Sequence, residues 1–419
     1  MSSLERSRNA AAAFSLRTLS SLQNRVYRIY FLGMLGQFAS MNMQGVTGSL
    51  LIYRLTDSSA LLGTMALASA VPMIVMSMFG GAFADRLQKK QVLFWGLLAS
   101  AILTFGVALT LTTGWLSKEH ANSWWILMAS SFMMGVIMGM TLPARSAIIP
   151  EIVSREHAMN AVALNMLGMN VLSLLAPGLA GFLVDGLGFA AVYYTMAALN
   201  LYAAIMVFFV PHTGPAGNQT SSILSDIQQG FEYIRRDRTI LFVLGFTLVV
   251  VVLSMPYQQM LPIFVDKILH VGATGMGILM SVSGAGALVG SLAIAGLPNK
   301  KRGILLLLSG LVSGVALIVF AFSHLWGLSL AFIVFVGLGQ TLRGTIGSAV
   351  LQSYTRPEYM GRVMSILMIQ WGLMGLCTFF AGILAETFPV QWVIGGFAML
   401  LVVLTLLAIA LVPRIRKLD

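Results

Sequence analysis

Gly81-Ala82-Phe83-Ala84-Asp85-Arg86-Leu87-Gln88-Lys89-Lys90-Gln91-Val92-Leu93 is a charged turn between two long apolar runs. A carboxylate and three cations at the edge of hydrocarbon are costly unless they pair or reach the headgroups, so this turn has work beyond joining two segments. The tendency of Lys and Arg to collect on the inner side of a membrane accounts for Arg86, Lys89 and Lys90. It does not account for Asp85 placed four residues after Gly81.

Working outward, the chain is 58% hydrophobic and 9% charged over 419 residues, too little charge to solvate a globular surface of that size. Most of its surface is expected to face lipid. The net charge of +11 is not a nucleic-acid footprint, because the cations lie in loops that alternate with apolar spans. Cys377, the one cysteine, lies in an apolar run and allows no intramolecular disulfide. His120, His157, His212, His270 and His324 are scattered over loops without ligand spacing, which argues against a metal site or an enzyme. There is no phosphate-binding Gly-x-x-x-x-Gly-Lys-Ser/Thr, so no nucleotide or other cofactor is expected.

Apolar runs of about 20 residues, enough to cross roughly 30 Å of hydrocarbon as helix, recur near 29–53, 60–84, 91–113, 123–145, 158–184 and 189–211. They resume near 239–265, 274–297, 303–323, 326–350, 360–386 and 390–413. The expectation is an all-α polytopic membrane protein of twelve helices: a tail over 1–28, a six-helix bundle over 29–211, a linker over 212–238, a second bundle over 239–413 and a tail over 414–419. With both termini inside, 22 of the 25 Lys and Arg fall on the inner side and only Arg54, Lys118 and Lys267 outside. Both termini are therefore expected in the cytoplasm, and the N-terminal residues read as a basic tail rather than a secretory signal.

The halves are related. A shift of 201 residues lays Ser154 to Met159 over Thr355 to Met360, and Ala180 to Asp185 over Ala381 to Glu386. Parallel repeats of this kind place a transport site between the bundles. In the linker, Ile223, Ile227, Phe231 and Ile234 share a helical face opposite Glu232, Arg235 and Arg236, which predicts a short helix on the inner membrane surface.

The Gly81 to Lys90 turn resembles the loop between the second and third helices of the major facilitator superfamily, differing at Gln88, where that pattern has Gly. Three further stretches, Tyr53 to Ser59, Pro143 to Glu151 and Glu358 to Val363, are similar to the branch of the superfamily that holds enterobactin exporters and macrolide efflux proteins. The resemblance implies a fold of two rocking six-helix halves, and a gating loop of Gly81, Asp85, Arg86, Lys89 and Lys90 in which Asp85 holds the inner gate against Met360-Gly361-Arg362. Ala176-Pro177-Gly178-Leu179-Ala180-Gly181 is similar to the Gly-Pro-x-x-Gly-Gly element of drug-proton antiporters, with Ala at two glycine positions; close helix packing is the competing reading, as for Gly135, Gly139, Gly286, Gly290, Gly310 and Gly314.

The resemblance also implies that the first, fourth, seventh and tenth helices surround a cavity. Within them Gln37, Met41, Gln44, Tyr257, Gln258, Gln259, Gln340 and Arg343 are candidate walls, with interhelical hydrogen bonding or, for Arg343, a headgroup position as alternatives; Asn165, Asn170, Asn200 and Gln370 rank lower. No acid lies deep in a span, so Asp185 and Glu386, equivalent under the repeat, are the candidate proton-coupling groups. Lacking a deep carboxylate, the pathway suits amphipathic, neutral or anionic small molecules. The expected function is a monomeric secondary transporter of the cell membrane, an efflux carrier with protons as a candidate coupling ion. An importer, a lysophospholipid flippase and a non-transporting receptor are the alternatives. In a Cys377→Ser background, Ser117→Cys is expected to react with an impermeant thiol reagent in intact cells; labelling only after permeabilisation would reverse the orientation.

Overall fold

The computed structural model describes residues 20–86, 88–120, 122–211, 223–296 and 301–412. No strand occurs among them. Hydrocarbon offers no partner to a backbone N–H or C=O, and helices satisfy both within one segment. The first half runs through α1 (Arg25–Thr56), α2 (Ser59–Arg86), α3 (Lys89–Thr112), α4 (Trp125–Ile152), α5 (155–187) and α6 (189–208). The last two form one continuous helical stretch, Arg155–Phe208, interrupted at Gly188, whose φ of 85° only glycine takes without strain. After α7 (Ile223–Arg236) come α8 (Arg238–Ser254), α9 (Pro256–Ile263), a π-turn (Phe264–Ile268), α10 (Gly272–Gly296), α11 (Arg302–Phe322), α12 (Trp326–Tyr354), α13 (Met360–Met368), α14 (Gln370–Thr387) and α15 (Val390–Leu411).

Ten helical stretches among the described residues are long and apolar enough to cross a membrane. Arg155–Phe208 is 54 residues long, about 80 Å of helix and room for two crossings either side of Gly188. The polar helix α1 is long enough at 32 residues but is not among the ten. Counting α1, and splitting Arg155–Phe208, is compatible with the expected twelve passes.

Local chemistry sets several ends. Asn24 caps α1 by accepting from the Val26 and Tyr27 amides at 2.9 and 3.2 Å. Asp237 caps α8 in the same way through Thr239 and Ile240 at 2.8 and 3.3 Å. The seventh span breaks between α8 and α9, where Pro256 has no N–H to continue the ladder. The amphipathic linker helix forms as α7: Ile234 is buried and Phe231 is exposed, while the side chains of Ile223 and Ile227 lie outside the described residues.

Packing divides the molecule by end. At the cation-poor end one continuous core draws on both halves, joining Met43, Leu50, Tyr53, Leu62 and Tyr193 to Tyr257, Phe264, Met276 and Phe320. At the cation-rich end each half keeps a separate core. Tyr27, Tyr30, Phe38, Leu93 and Ile148 fill one, and Ile240, Val243, Leu306, Val350 and Val363 fill the other. Among the described residues the buried core is thus shared by the halves at one end and divided between them at the other.

Glycine lets the backbones approach. A Cβ on Gly337 of α12 would lie 1.9 Å from the Ser283 carbonyl of α10, and one on Gly286 would lie 2.0 Å from that of Val334. Gly135 and Gly139 of α4 press on Ser69 and Met73 of α2, and Gly310 and Gly314 of α11 on Thr405 and Val402 of α15, so the spaced glycines are packing surfaces. Gly337→Val is expected to cost about 1–3 kcal/mol or more through overpacking, seen as a lower unfolding temperature in detergent. Gly245→Ala, where an added Cβ meets nothing within 4 Å, is the matched change expected to leave that temperature unchanged or higher.

Candidate transport pathway and gate

Two ion pairs cross between the halves at the cation-poor end. Arg54 near the end of α1 donates to both oxygens of Asp266, Nε to Oδ2 at 3.0 Å and an Nη2 to Oδ1 at 2.9 Å. Lys267 Nζ sits 3.0 Å from Asp57 Oδ1, and that hydrogen bond holds the Asp57 carboxyl below the usual carboxylate range. The π-turn carries Asp266 and Lys267 side by side, so one turn of chain reaches two partners. Arg54 and Lys267 are two of the three cations on this side of the chain, and both are spent on the contact between halves.

Asp185 and Glu386, the candidate proton-coupling acids, lie at the same end in equivalent roles. Asp185, at the end of α5, accepts from the Ala273 and Thr274 amides at 3.3 and 2.7 Å, at the first turn of α10. Glu386, at the end of α14, accepts from the Ala60 amide at 2.8 Å and the Ser58 hydroxyl at 2.6 Å, at the first turn of α2. The first amides of a helix have no partner within it and carry its positive end. Each half therefore offers a carboxylate to a helix start of the other, and the repeat makes the pair reciprocal.

Behind these contacts α2 lies against α14 and α5 against α10. Gly63 and Gly382 face each other, Gly375 meets Ala66 and Ala70, and Gly372 meets Ile74. Across the second seam Gly181 abuts Ala273 and Gly277 abuts Pro177, while the Gly178 amide donates to Ser281 Oγ at 3.0 Å. The Ala176 to Gly181 element is thus a close-packing surface between the halves, the competing reading given above.

The proposed walls are less tied down. The Gln37 and Gln44 side-chain oxygens, the Asn165 oxygen and the Gln340 nitrogen are buried atoms without a hydrogen-bond partner. Met41 is exposed, and Gln258 and Gln259 are half-buried. Tyr257 is buried, with its hydroxyl 3.4 Å from Ser283 Oγ. Arg343 is 5% exposed, and its one hydrogen bond runs from an Nη1 to Gln370 Oε1 at 3.3 Å. Asn200 is a structural residue that donates to Ser40 Oγ at 2.8 Å, and Ser173 bonds the backbone of Asn170.

On the cation-rich side, Gly81, Asp85 and Arg86 end α2, and their side chains lie outside the described residues, as does Leu87. Lys89 is buried and pairs with Glu151, tying the start of α3 to the end of α4 within one half. Lys90 lies over the Phe208 ring at 5.4 Å. Arg362 lies 5.3 Å over Tyr359, whose ring stacks on Tyr233 of α7 at 4.2 Å, so the linker helix packs on the entry to α13. Tyr233, Asp266 and the amides at Ala60 and Thr274 were not singled out from sequence, where Asp57, Ser58 and Tyr359 entered only as parts of the stretches Tyr53 to Ser59 and Glu358 to Val363. The outer Arg54 and Lys267 were the available signal for the ion pairs.

A helical membrane protein of two repeated halves, joined at one end by contacts between them, has the architecture found in many secondary transporters. The model of the Major Facilitator Superfamily matches residues 30–376 and 260–419, and the chain belongs to that superfamily. It is similar to the Enterobactin exporter EntS of Shigella boydii serotype 4 (strain Sb227), 26% identical over 352 residues that cover 83% of this chain and 82% of the relative. The same protein of Escherichia coli O139:H28 (strain E24377A / ETEC) is 25% identical over 352 residues, with the same coverage of 83% and 82%. Among solved structures, the nucleoside transporter NupG superposes with a TM-score of 0.73 at 16% identity, over 92% of this chain and 98% of that one. A bacterial homolog to human lysosomal transporter Spinster gives 0.68 at 14% identity, over 95% and 96%. These likenesses show the fold. The protein is a multi-pass membrane transporter and not an enzyme.

Each exposed carboxylate at a helix start contributes about 0.3–1 kcal/mol, and about 1.4 kcal/mol from the two together is a tenfold change in a ratio of states. Ser49, 1% exposed, stands one turn from Gly45, which faces Met280 of the other half. In a Cys377→Ser background carrying Ser49→Cys, Asp185→Asn with Glu386→Gln is expected to speed labelling by an impermeant thiol reagent about tenfold. Unchanged labelling would show that the two acids do not hold this end shut.

Proposed function

We propose that this chain is a secondary efflux carrier that exports a small amphipathic or anionic compound by alternating access, with the cation-poor end outside and both termini in the cytoplasm. The observation that carries the reading is the division of the core: shared by the halves at the cation-poor end, separate at the other. Contacts that bind two halves at one end only must break when that end opens, and the division fits rocking about a site between them. The direction rests on similarity to an exporter. The domain limits proposed are the bundles over 29–211 and 239–413 joined by the linker over 212–238.

In this reading Asp185 and Glu386 are latches of the outer gate. The closed gate uses them as charged acceptors of helix-start amides, so a proton taken up from outside has to leave before the gate shuts. That assigns them to gating in place of the proton-carrying role expected from sequence. Arg54 with Asp266 and Lys267 with Asp57 reinforce the same seal, the half-buried bidentate pair more than the exposed one. At the inner gate, Asp85 would meet the entry to α13 in the opposite state.

Intact cells expressing the chain are expected to accumulate several-fold less of an amphipathic fluorescent acid than cells carrying an empty vector, and collapse of the proton gradient is expected to abolish the difference. Greater accumulation in expressing cells would make the chain an importer. Uptake of labelled lysophospholipid with no effect on the acid would make it a flippase.

A further inference from the structure

We propose that Arg343 is the anion-binding subsite of the transport pathway, taking the carboxylate, phosphate or sulfonate of an amphipathic substrate. This rests on the transport reading above and narrows its substrate to anions.

Arg343 lies 17 residues into α12, roughly 25 Å from the Trp326 end, and 11 residues before Tyr354. It is in the body of the helix, and at 5% exposure the residue is almost wholly covered by protein. Among the described residues no carboxylate forms an ion pair with it; the ion pairs there are Arg54 with Asp266, Lys89 with Glu151, Arg236 with Glu232 and Lys267 with Asp57. Of the five N–H donors of a guanidinium, one is used, on the Gln370 amide oxygen at 3.3 Å, and the buried Nε has no partner.

A buried charge of this kind is costly, and a single long bond to a neutral amide is poor compensation. The surroundings add donors and no anion. Gln340, three residues back and so on the neighbouring face of α12, has a buried side-chain nitrogen without a partner. The missing acceptor is what a substrate oxyanion supplies, since the planar fork of arginine matches two oxygens of a carboxylate or phosphate. α4, the repeat counterpart of α12, also carries an arginine without a carboxylate partner among the described residues: Arg145 lies 5.3 Å over the Phe38 ring. Arg343 is a binding residue and has no part in the seal at the cation-poor end.

The test uses the purified full chain in an uncharged detergent and follows its unfolding temperature. The probes are 1-naphthylacetate, 1-naphthalenesulfonate and 1-naphthyl phosphate, with neutral 1-naphthylacetamide as the comparison. At least one anion is expected to raise the unfolding temperature by several degrees in a saturable way, and the amide is not. Arg343→Gln is expected to abolish that rise, Arg343→Lys to keep part of it, and the ligand-free Arg343→Gln protein to melt no lower than the parent because an unpaired charge has gone. The inference fails if no anion stabilises, if the amide does so equally, or if Arg343→Gln leaves the rise intact. It also fails if that variant misfolds or melts lower without ligand, since Arg343 is then structural. Efflux of a neutral amphiphile from cells would survive each of these failures, which separates this inference from the transport reading.

Discussion

Hydrocarbon supplies no hydrogen bonds, and the rest of this structure follows from that deficit. Backbone groups retreat into helices, which satisfy themselves along their length and leave amides unpaired at their first turns. In a soluble protein water or a local side chain completes those turns, as Asn24 and Asp237 do here for α1 and α8. At the starts of α2 and α10 the completing groups are Glu386 and Asp185, and each belongs to the other half of the molecule. In the proposed reading, a cap supplied from the other half acts as a latch.

The seal combines that polar latch with close packing. Gly63, Gly375 and Gly382 on one seam, and Gly181 and Gly277 on the other, bring backbone to within contact distance of backbone or small side chains. Such surfaces gain dispersion energy only at short range, so they favour a fully closed gate and lose their contribution once the halves separate. The carboxylates and the Arg54 to Asp266 pair add direction and register, because a bidentate contact and an amide pair each accept one geometry. At the other end the cores filled by Phe38 and Val350 belong to separate halves, and motion there costs neither core its packing.

Placing Asp185 and Glu386 in the gate leaves the pathway itself poor in acid and supplied with donors. Gln340, Tyr257 and Arg343 all come from α9 or α12, helices of one half, whereas the unpaired Gln37 and Gln44 oxygens come from α1 of the other.

The sequence by itself determined the class. Apolar runs of spanning length and the Gly81 to Lys90 turn specify helices, the superfamily and the repeat, since these depend on local composition and on the length of hydrocarbon to be crossed. The amphipathic period of 223–236 specified α7 for the same reason. Only the tertiary structure decided what the polar residues do. For Asp185 and Glu386, sequence gives depth and equivalence but not the helix starts 88 to 89 and 326 residues away that they bind. For Arg343, sequence left a cavity wall and a headgroup position both open, because burial is a property of neighbours on other helices. The partnerships of Arg54 with Asp266 and of Tyr359 with Tyr233, like the unpaired guanidinium of Arg343, exist only once distant segments are packed, and no local pattern encodes which side chain a long-range contact will deliver.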